Sequence, residues 1–158
     1  MQRTPRQRPQ PRARRRSTRV VRLVTTELQR CAPRDGVRVT GPEVAARVLM
    51  DRIGRKDREH LVVLHLDGRH RVAAVETVAV GTLTAALVHP REVFKGALLA
   101  NAAALLVGHN HPSGDLEPSA EDLASRSRLA EAGALLGIPV LDYLIVSRDD
   151  YRALGAPD

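Results

Sequence analysis

The stretch "ALLVGHNHPSGDLEPSAED", residues 104–122, joins an apolar run to a polar turn and then to the start of a helix. The run "ALLVGH" predicts a buried β-strand. "SAED" is typical of a helix N-terminus, with Ser119 as the capping residue and Asp122 three residues later. The sequence therefore predicts a strand, a loop and a helix in direct succession.

The flanking segments alternate between helix and strand patterns. "GPEVAARVLMDRIG", residues 41–54, predicts a helix with Pro42 in its first turn and Gly54 as its stop. "EHLVVLHLDGRHRVAAVETVAVG", residues 59–81, predicts two strands joined at an Asp-Gly turn. "TLTAALVH", residues 82–89, predicts a third strand.

Pro90 marks the start of a second predicted helix, "REVFKGALLANAAALL", over residues 91–106. The helix after the polar turn extends over residues 119–137 and is closed by Gly137, and "IPVLDYLIVS", residues 138–147, predicts a final strand. Alternating helices and strands predict an α/β or α+β fold in which helices flank a mixed β-sheet.

Charge divides the chain into two parts. The net charge is +7, but residues 1–22 carry nine arginines and no acid, and residues 23–158 sum to −2. The proline- and arginine-rich segment cannot bury a core, so we predict a disordered basic tail over residues 1–22 and one domain over 23–158. The tail is either a solubilising segment or an arm that contacts nucleic acid non-specifically through phosphates.

Composition limits the location of the protein. No apolar run approaches the roughly 18 residues that a membrane span requires. The basic N-terminus is not followed by the apolar segment of a secretory signal. A single cysteine, Cys31, cannot form an internal disulfide or a thiolate cluster, and we expect a cytoplasmic protein.

The histidine pair suggests a metal centre. His109 and His111 are two residues apart at the end of a predicted strand, so both imidazoles can point to one side. With Asp122 they supply two nitrogens and one carboxylate, the ligand set of a catalytic zinc site with its fourth position open. Taken separately, the two histidines are also explained as a solvated pair in a loop, and Asp122 is also explained as part of a helix cap.

The spacing H-x-H, ten residues, then Asp resembles the JAMM signature of the JAB/MPN metalloprotease family. Residues 88–122 and 135–147 resemble the JAB domain of bacterial RadC proteins in particular, and the likeness extends over about residues 40–155. It implies a JAB/MPN-like fold, one Zn²⁺ per chain bound by His109, His111 and Asp122, and hydrolysis of a peptide or isopeptide bond in a protein substrate.

Two catalytic roles are implied by the same resemblance. Glu59, 50 residues before His109, corresponds to the family's general base, and Ser119 corresponds to the residue that hydrogen-bonds the oxyanion. Glu76, 33 residues before His109, is the competing candidate for the base. The remaining histidines are interpreted as structural or solvated residues: His60, His65, His70 and His89.

The residues that depart from the RadC pattern are expected to affect substrate recognition rather than metal binding. Tyr143 stands where the family usually has a histidine and is expected to line the cleft, and Arg126 stands where a threonine is common. RadC proteins usually carry a helical region before the JAB domain, whereas in this sequence the basic tail and a few residues precede the matching part. An alternative function is that of a DNA-associated repair or recombination module without peptidase activity, and metal-dependent nuclease action also stays open. The substrate and the oligomeric state do not follow from the sequence.

Overall fold

The computed structural model describes residues 36–81 and 88–156 in full and the backbone of Leu28–Arg30. The helices described are α1 (Pro42–Ile53), α2 (Pro90–Ala100) and α3 (Ala120–Leu136). The strands described are β1 (Leu28–Arg30), β2 (His60–Leu66), β3 (Val72–Val80), β4 (Ala104–Asn110), β5 (Val140–Val146) and β6 (Tyr151–Ala153).

These strands form one mixed sheet in the order β1-β3-β2-β4-β5-β6. The β4–β5 pair is parallel, and every other neighbouring pair is antiparallel. The parallel pair is joined by α3, as a crossover between parallel strands requires. The predicted α+β architecture with a mixed sheet and flanking helices is confirmed.

Helices cover both faces of the sheet. Leu49 of α1 packs with Leu64 and the other even-numbered residues of β2 and β4. Phe94 of α2 and Leu129 of α3 pack with Val63 and the other odd-numbered residues of those strands. Successive strand residues point to opposite faces, so a strand between two helical layers is buried along its whole length. All seven residues of β4 are buried, which explains its unbroken apolar run.

Five of the six predicted helix ends are confirmed, and the C-terminal end of the second helix is wrong. Gly54 ends α1, and Gly137 ends α3 in the left-handed conformation that glycine tolerates. The second helix begins at Pro90 as predicted but ends at Ala100, six residues before the predicted end. Asn101 takes a left-handed conformation, with φ of 52°, and closes that helix.

The strand predictions are confirmed for the hairpin, for "ALLVGH" and for "IPVLDYLIVS". Asp67 closes the hairpin turn, since its Oδ1 accepts from the backbone N–H groups of Arg69 and Arg71. The three-residue strands β1 and β6 were not predicted, because so short a segment carries little periodicity. Most of the predicted third strand, residues 82–87, lies outside the described residues, and Val88 and His89 lead into α2.

The predicted basic tail, residues 1–22, also lies outside the described residues. Among the helices of the described part of the chain, none is long and apolar enough to cross a membrane.

Candidate metal centre

The three predicted ligands lie together where β4 ends and α3 begins. His109 is the sixth residue of β4, His111 follows the strand, and Asp122 lies in the first turn of α3. The two histidine Nε2 atoms are 2.8 Å apart, and Asp122 Oδ1 lies 3.2 Å from Nε2 of His109. Oδ2 of Asp122 is 3.7 Å from Nε2 of His111. All three side chains thus direct one ligand atom to a common point.

The ring orientation of His111 suits metal binding. Its Nδ1 lies 2.6 Å from the backbone carbonyl oxygen of Asp115, so Nδ1–H donates to that oxygen. The proton on Nδ1 leaves the Nε2 lone pair free toward His109 and Asp122. The turn "HPSGD" therefore both redirects the chain and selects the tautomer of His111.

His109 is more deeply buried than His111, with 1 % of its surface exposed. Burial lowers the pKa of His109 to about 4, against the opposing effect of the Asp122 carboxylate. The adjacent His111 lowers it further. A neutral imidazole is the form that binds a metal, so burial prepares this ligand at neutral pH.

Asp122 is held by the helix cap. Its Oδ2 accepts hydrogen bonds from the backbone N–H of Ser119 at 2.8 Å and from the Ser119 hydroxyl at 2.7 Å. The Ser119 Oγ in turn accepts from the Asp122 backbone N–H at 3.1 Å. The predicted capping box is confirmed, and it fixes a carboxylate whose Oδ1 faces His109.

Glu59 lines a cleft beside the turn that follows His111. It directly precedes β2, and it lines a cleft of about 470 Å³ together with Pro112, the residue after His111. Leu61 is the register partner of His109 in the antiparallel β2–β4 pair, so Glu59 and His111 both lie just beyond the same end of that pair. The structure thus brings Glu59 to the end of the sheet where the ligands lie.

Glu76, the competing candidate, lies elsewhere. It is fully buried under α2, and its Oε2 lies 2.9 Å from Nε2 of His65. A β-carbon at Gly96 of α2 would lie only 1.7 Å from that Oε2, so the absence of a side chain at Gly96 makes room for the pair. Glu76 and His65 therefore form a buried pair between β2 and β3, separate from the cleft.

Three further histidines serve local structure, as predicted. His89 caps α2 by accepting from the Arg91 backbone N–H, and His70 occupies a left-handed position in the hairpin turn. His60 Nδ1 lies 2.9 Å from the Arg58 carbonyl oxygen.

Tyr143 does not line an open cleft as expected, since it is 1 % exposed. Its ring contacts His109 edge-on, with 5.5 Å between ring centroids. Burial raises the pKa of Tyr143, and the Asp122 and Glu59 carboxylates act in the same direction. The tyrosine therefore packs behind a candidate ligand as a neutral side chain.

Sequence reasoning missed Asn110, the middle residue of the H-N-H motif. This residue is 1 % exposed and hydrogen-bonded to the segment before β2. The signal was present in the alternation of the strand, because a residue between two histidines on one face must point to the other.

Comparison with known proteins gives a consistent result. A family model described as "RadC-like JAB domain" matches residues 39–157. A UPF0758 protein of Desulforudis audaxviator is 48 % identical over 116 residues, which cover 73 % of this chain and 50 % of that protein. A UPF0758 protein of Rubrobacter xylanophilus is 49 % identical over 108 residues, covering 68 % and 48 %. The chain thus spans about half the length of the curated relatives it matches.

Proposed function

Because the chain belongs to the RadC-like JAB domain family, we propose that it is a zinc-dependent metalloprotease of the JAMM type, which cleaves a peptide or isopeptide bond. The observation that carries this proposal is the convergence of His109, His111 and Asp122, whose ligand atoms all lie within 4.8 Å of one another.

The donor set fits zinc. Tetrahedral zinc with bonds of about 2.0–2.1 Å places its ligand atoms roughly 3.3 Å apart. The distances of 2.8, 3.2 and 3.7 Å between the donor atoms of His109, His111 and Asp122 bracket that value. Two imidazoles and one carboxylate leave a fourth position open, which is the pattern of catalytic rather than structural zinc.

Zinc at this position would act as a Lewis acid and lower the pKa of a coordinated water to about 7. Glu59 is proposed to accept the proton of the attacking water on its carboxylate and to return it to the leaving amine. Its place in the cleft wall beside Pro112 supports this role, and the burial of Glu76 with His65 argues against the alternative base.

Ser119 is proposed to donate a hydrogen bond to the oxyanion of the substrate. In the structure its hydroxyl donates to Asp122 Oδ2, so this role requires the hydroxyl to turn from the carboxylate to the substrate. The residue is solvent-exposed at the start of α3, which leaves room for that rotation. The backbone N–H of Ser119 continues to hold Oδ2 while the hydroxyl is engaged.

The proposal is tested by metal content and turnover together. We expect about one zinc per chain in the purified protein, and none in a His109→Ala, His111→Ala double variant. His70→Asn is the matched control, because it removes an exposed histidine and asparagine tolerates the left-handed backbone at that position.

Glu59→Gln should retain zinc and lose hydrolysis, and the same variant should trap protein substrates from a cytoplasmic extract for identification by mass spectrometry. Zinc-free wild-type protein would contradict the metal centre. Loss of zinc from Glu59→Gln would instead make Glu59 a ligand and contradict its role as base.

The arginine-rich segment supports a second candidate, a DNA-associated module of the repair or recombination type. Nine arginines without an acid in residues 1–22 provide the charge for phosphate contacts, whereas residues 23–158 carry a net charge of −2. If this function holds, deletion of residues 1–19 should abolish DNA binding and its salt dependence in a binding titration. DNA binding that is unchanged by the deletion would rule out the role of the segment.

A further inference from the structure

Asn110 connects the candidate metal ligands to the segment that carries Glu59. It is the last residue of β4 and lies between His109 and His111, and its side chain points to the opposite face of the sheet. On that face it reaches the chain between α1 and β2, 50 or more residues earlier in the sequence.

The Asn110 side chain binds backbone groups on both sides of Glu59. Its Oδ1 accepts from the His60 N–H at 2.8 Å. Its Nδ2 donates to the Arg58 carbonyl oxygen at 3.0 Å and to the Lys56 carbonyl oxygen at 3.4 Å. An amide side chain can accept one hydrogen bond and donate two, whereas an ionised carboxylate only accepts and a hydroxyl donates only one.

Apolar packing contributes little to the segment before Glu59. Residues 55–58 are exposed, so apolar packing does not hold them. From the far side, the Gly81 N–H donates to the Glu59 carbonyl oxygen at 2.8 Å. With the bonds from Asn110 to the Arg58 carbonyl oxygen and the His60 N–H, both peptide groups that flank the Glu59 α-carbon are hydrogen-bonded.

We propose that Asn110 is a positioning residue that fixes Glu59 relative to the two histidines. The inference rests on the proposed function, in which Glu59 is the general base. One three-residue run, residues 109–111, would then supply two metal ligands and set the position of the base. A base must lie within hydrogen-bond reach of the proton it accepts, which makes its backbone position decisive.

The first measurement is amide hydrogen exchange in the metal-free full-length protein. In Asn110→Ala the His60 amide should exchange about tenfold faster or more, because it loses a buried acceptor, while amides in the middle of β2 stay as protected as in wild type. Asn101→Ala is the matched control, at the C-cap of α2 and three residues before β4. It should loosen the end of α2 and leave the His60 amide unchanged.

The second measurement follows the visible absorption of the Co(II)-loaded protein as a function of pH, which reports ionisation at the fourth coordination position. Asn110→Ala should bind one metal ion per chain, as wild type does, and shift this titration in the same direction as Glu59→Gln. The double variant should shift it no further than Glu59→Gln alone, since both changes remove the same interaction. Asn110→Ser adds no charge and is too short to span the bonds to Lys56 and Arg58, so it should shift the titration in the same direction and replaces Asn110→Ala if that variant does not fold.

The outcomes separate the two claims. If Glu59→Gln shifts the titration and neither Asn110 variant does, the positioning role is overturned and the proposed function stands. If Glu59→Gln leaves the titration unchanged, the assignment of the base is wrong and the positioning role falls with it. Unchanged exchange at the His60 amide in Asn110→Ala also overturns the positioning role.

Discussion

The burial of His109 predicts a loss of stability in mild acid for the metal-free protein. Its pKa is lowered from an ordinary 6.5 to about 4 in the folded chain. The unfolded chain therefore takes up this proton first, and protonation favours unfolding as the pH falls from 6.5 toward 4. At a pH below both pKa values, this difference lowers the free energy of unfolding by about 3 kcal/mol. About 2 kcal/mol of this loss falls between pH 7 and pH 5.

The prediction is measured by urea unfolding, followed by circular dichroism in the presence of a chelator, at pH 7 and at pH 5. Between pH 7 and pH 5, the free energy of unfolding of wild type should fall by about 2 kcal/mol more than that of His109→Gln, because glutamine has no proton to take up. His70→Asn removes an exposed histidine and should keep the wild-type pH dependence. Excess zinc should stabilise the folded wild-type protein and move its loss of stability to lower pH.

Equal losses in wild type and His109→Gln, within about 0.5 kcal/mol, would refute the reasoning. That outcome would mean that the folded chain accommodates a charged His109, for example through the Asp122 carboxylate, whose Oδ1 lies 3.2 Å away.

Two further predictions follow from close contacts. Gly96→Ala should lower the free energy of unfolding by about 1–3 kcal/mol, since its β-carbon would lie 1.7 Å from Oε2 of the buried Glu76, whereas Gly68→Ala, with nothing within 4 Å, should change it little. Urea unfolding of both variants checks this, and equal stabilities would contradict it. Ser119→Ala should lower stability by about 1 kcal/mol through loss of the helix cap and weaken zinc binding by about 10–100-fold, because the Asp122 carboxylate loses one of its two hydrogen bonds. A chelator competition titration checks the affinity, and wild-type affinity would show that the backbone bond alone orients the carboxylate.

Much of the candidate centre could be predicted because its parts are local in sequence. The alternation of a strand placed His109 and His111 on one side, and the capping box placed Asp122 in the first turn of α3. These signals act over two or three residues, through backbone geometry that does not depend on the rest of the fold.

The long-range part needed the register of the sheet. Pairing of Leu61 with His109 is what brings Glu59 to the cleft, and the space over Gly96 is what lets Glu76 lie buried with His65. The two glutamates both fall within the predicted hairpin segment, residues 59–81, and only the structure shows that Glu59 precedes β2 whereas Glu76 lies buried within β3.

The C-terminal end of α2 also could not be predicted from the local sequence. The segment after Ala100 is rich in alanine and leucine, which favour a helix, yet β4 begins at Ala104 because the strand pairs with β2 and β5 on its two sides. The contacts of Asn110 with the segment before β2 likewise exist only once these strands have paired. The ligand types, their spacing and the helix cap were thus readable from short segments, because they depend on short-range sterics and hydrogen bonding. The burial of Glu76 and the contact of Asn110 with the segment before β2 were not, because strand register and burial depend on partners up to 50 residues away in the chain.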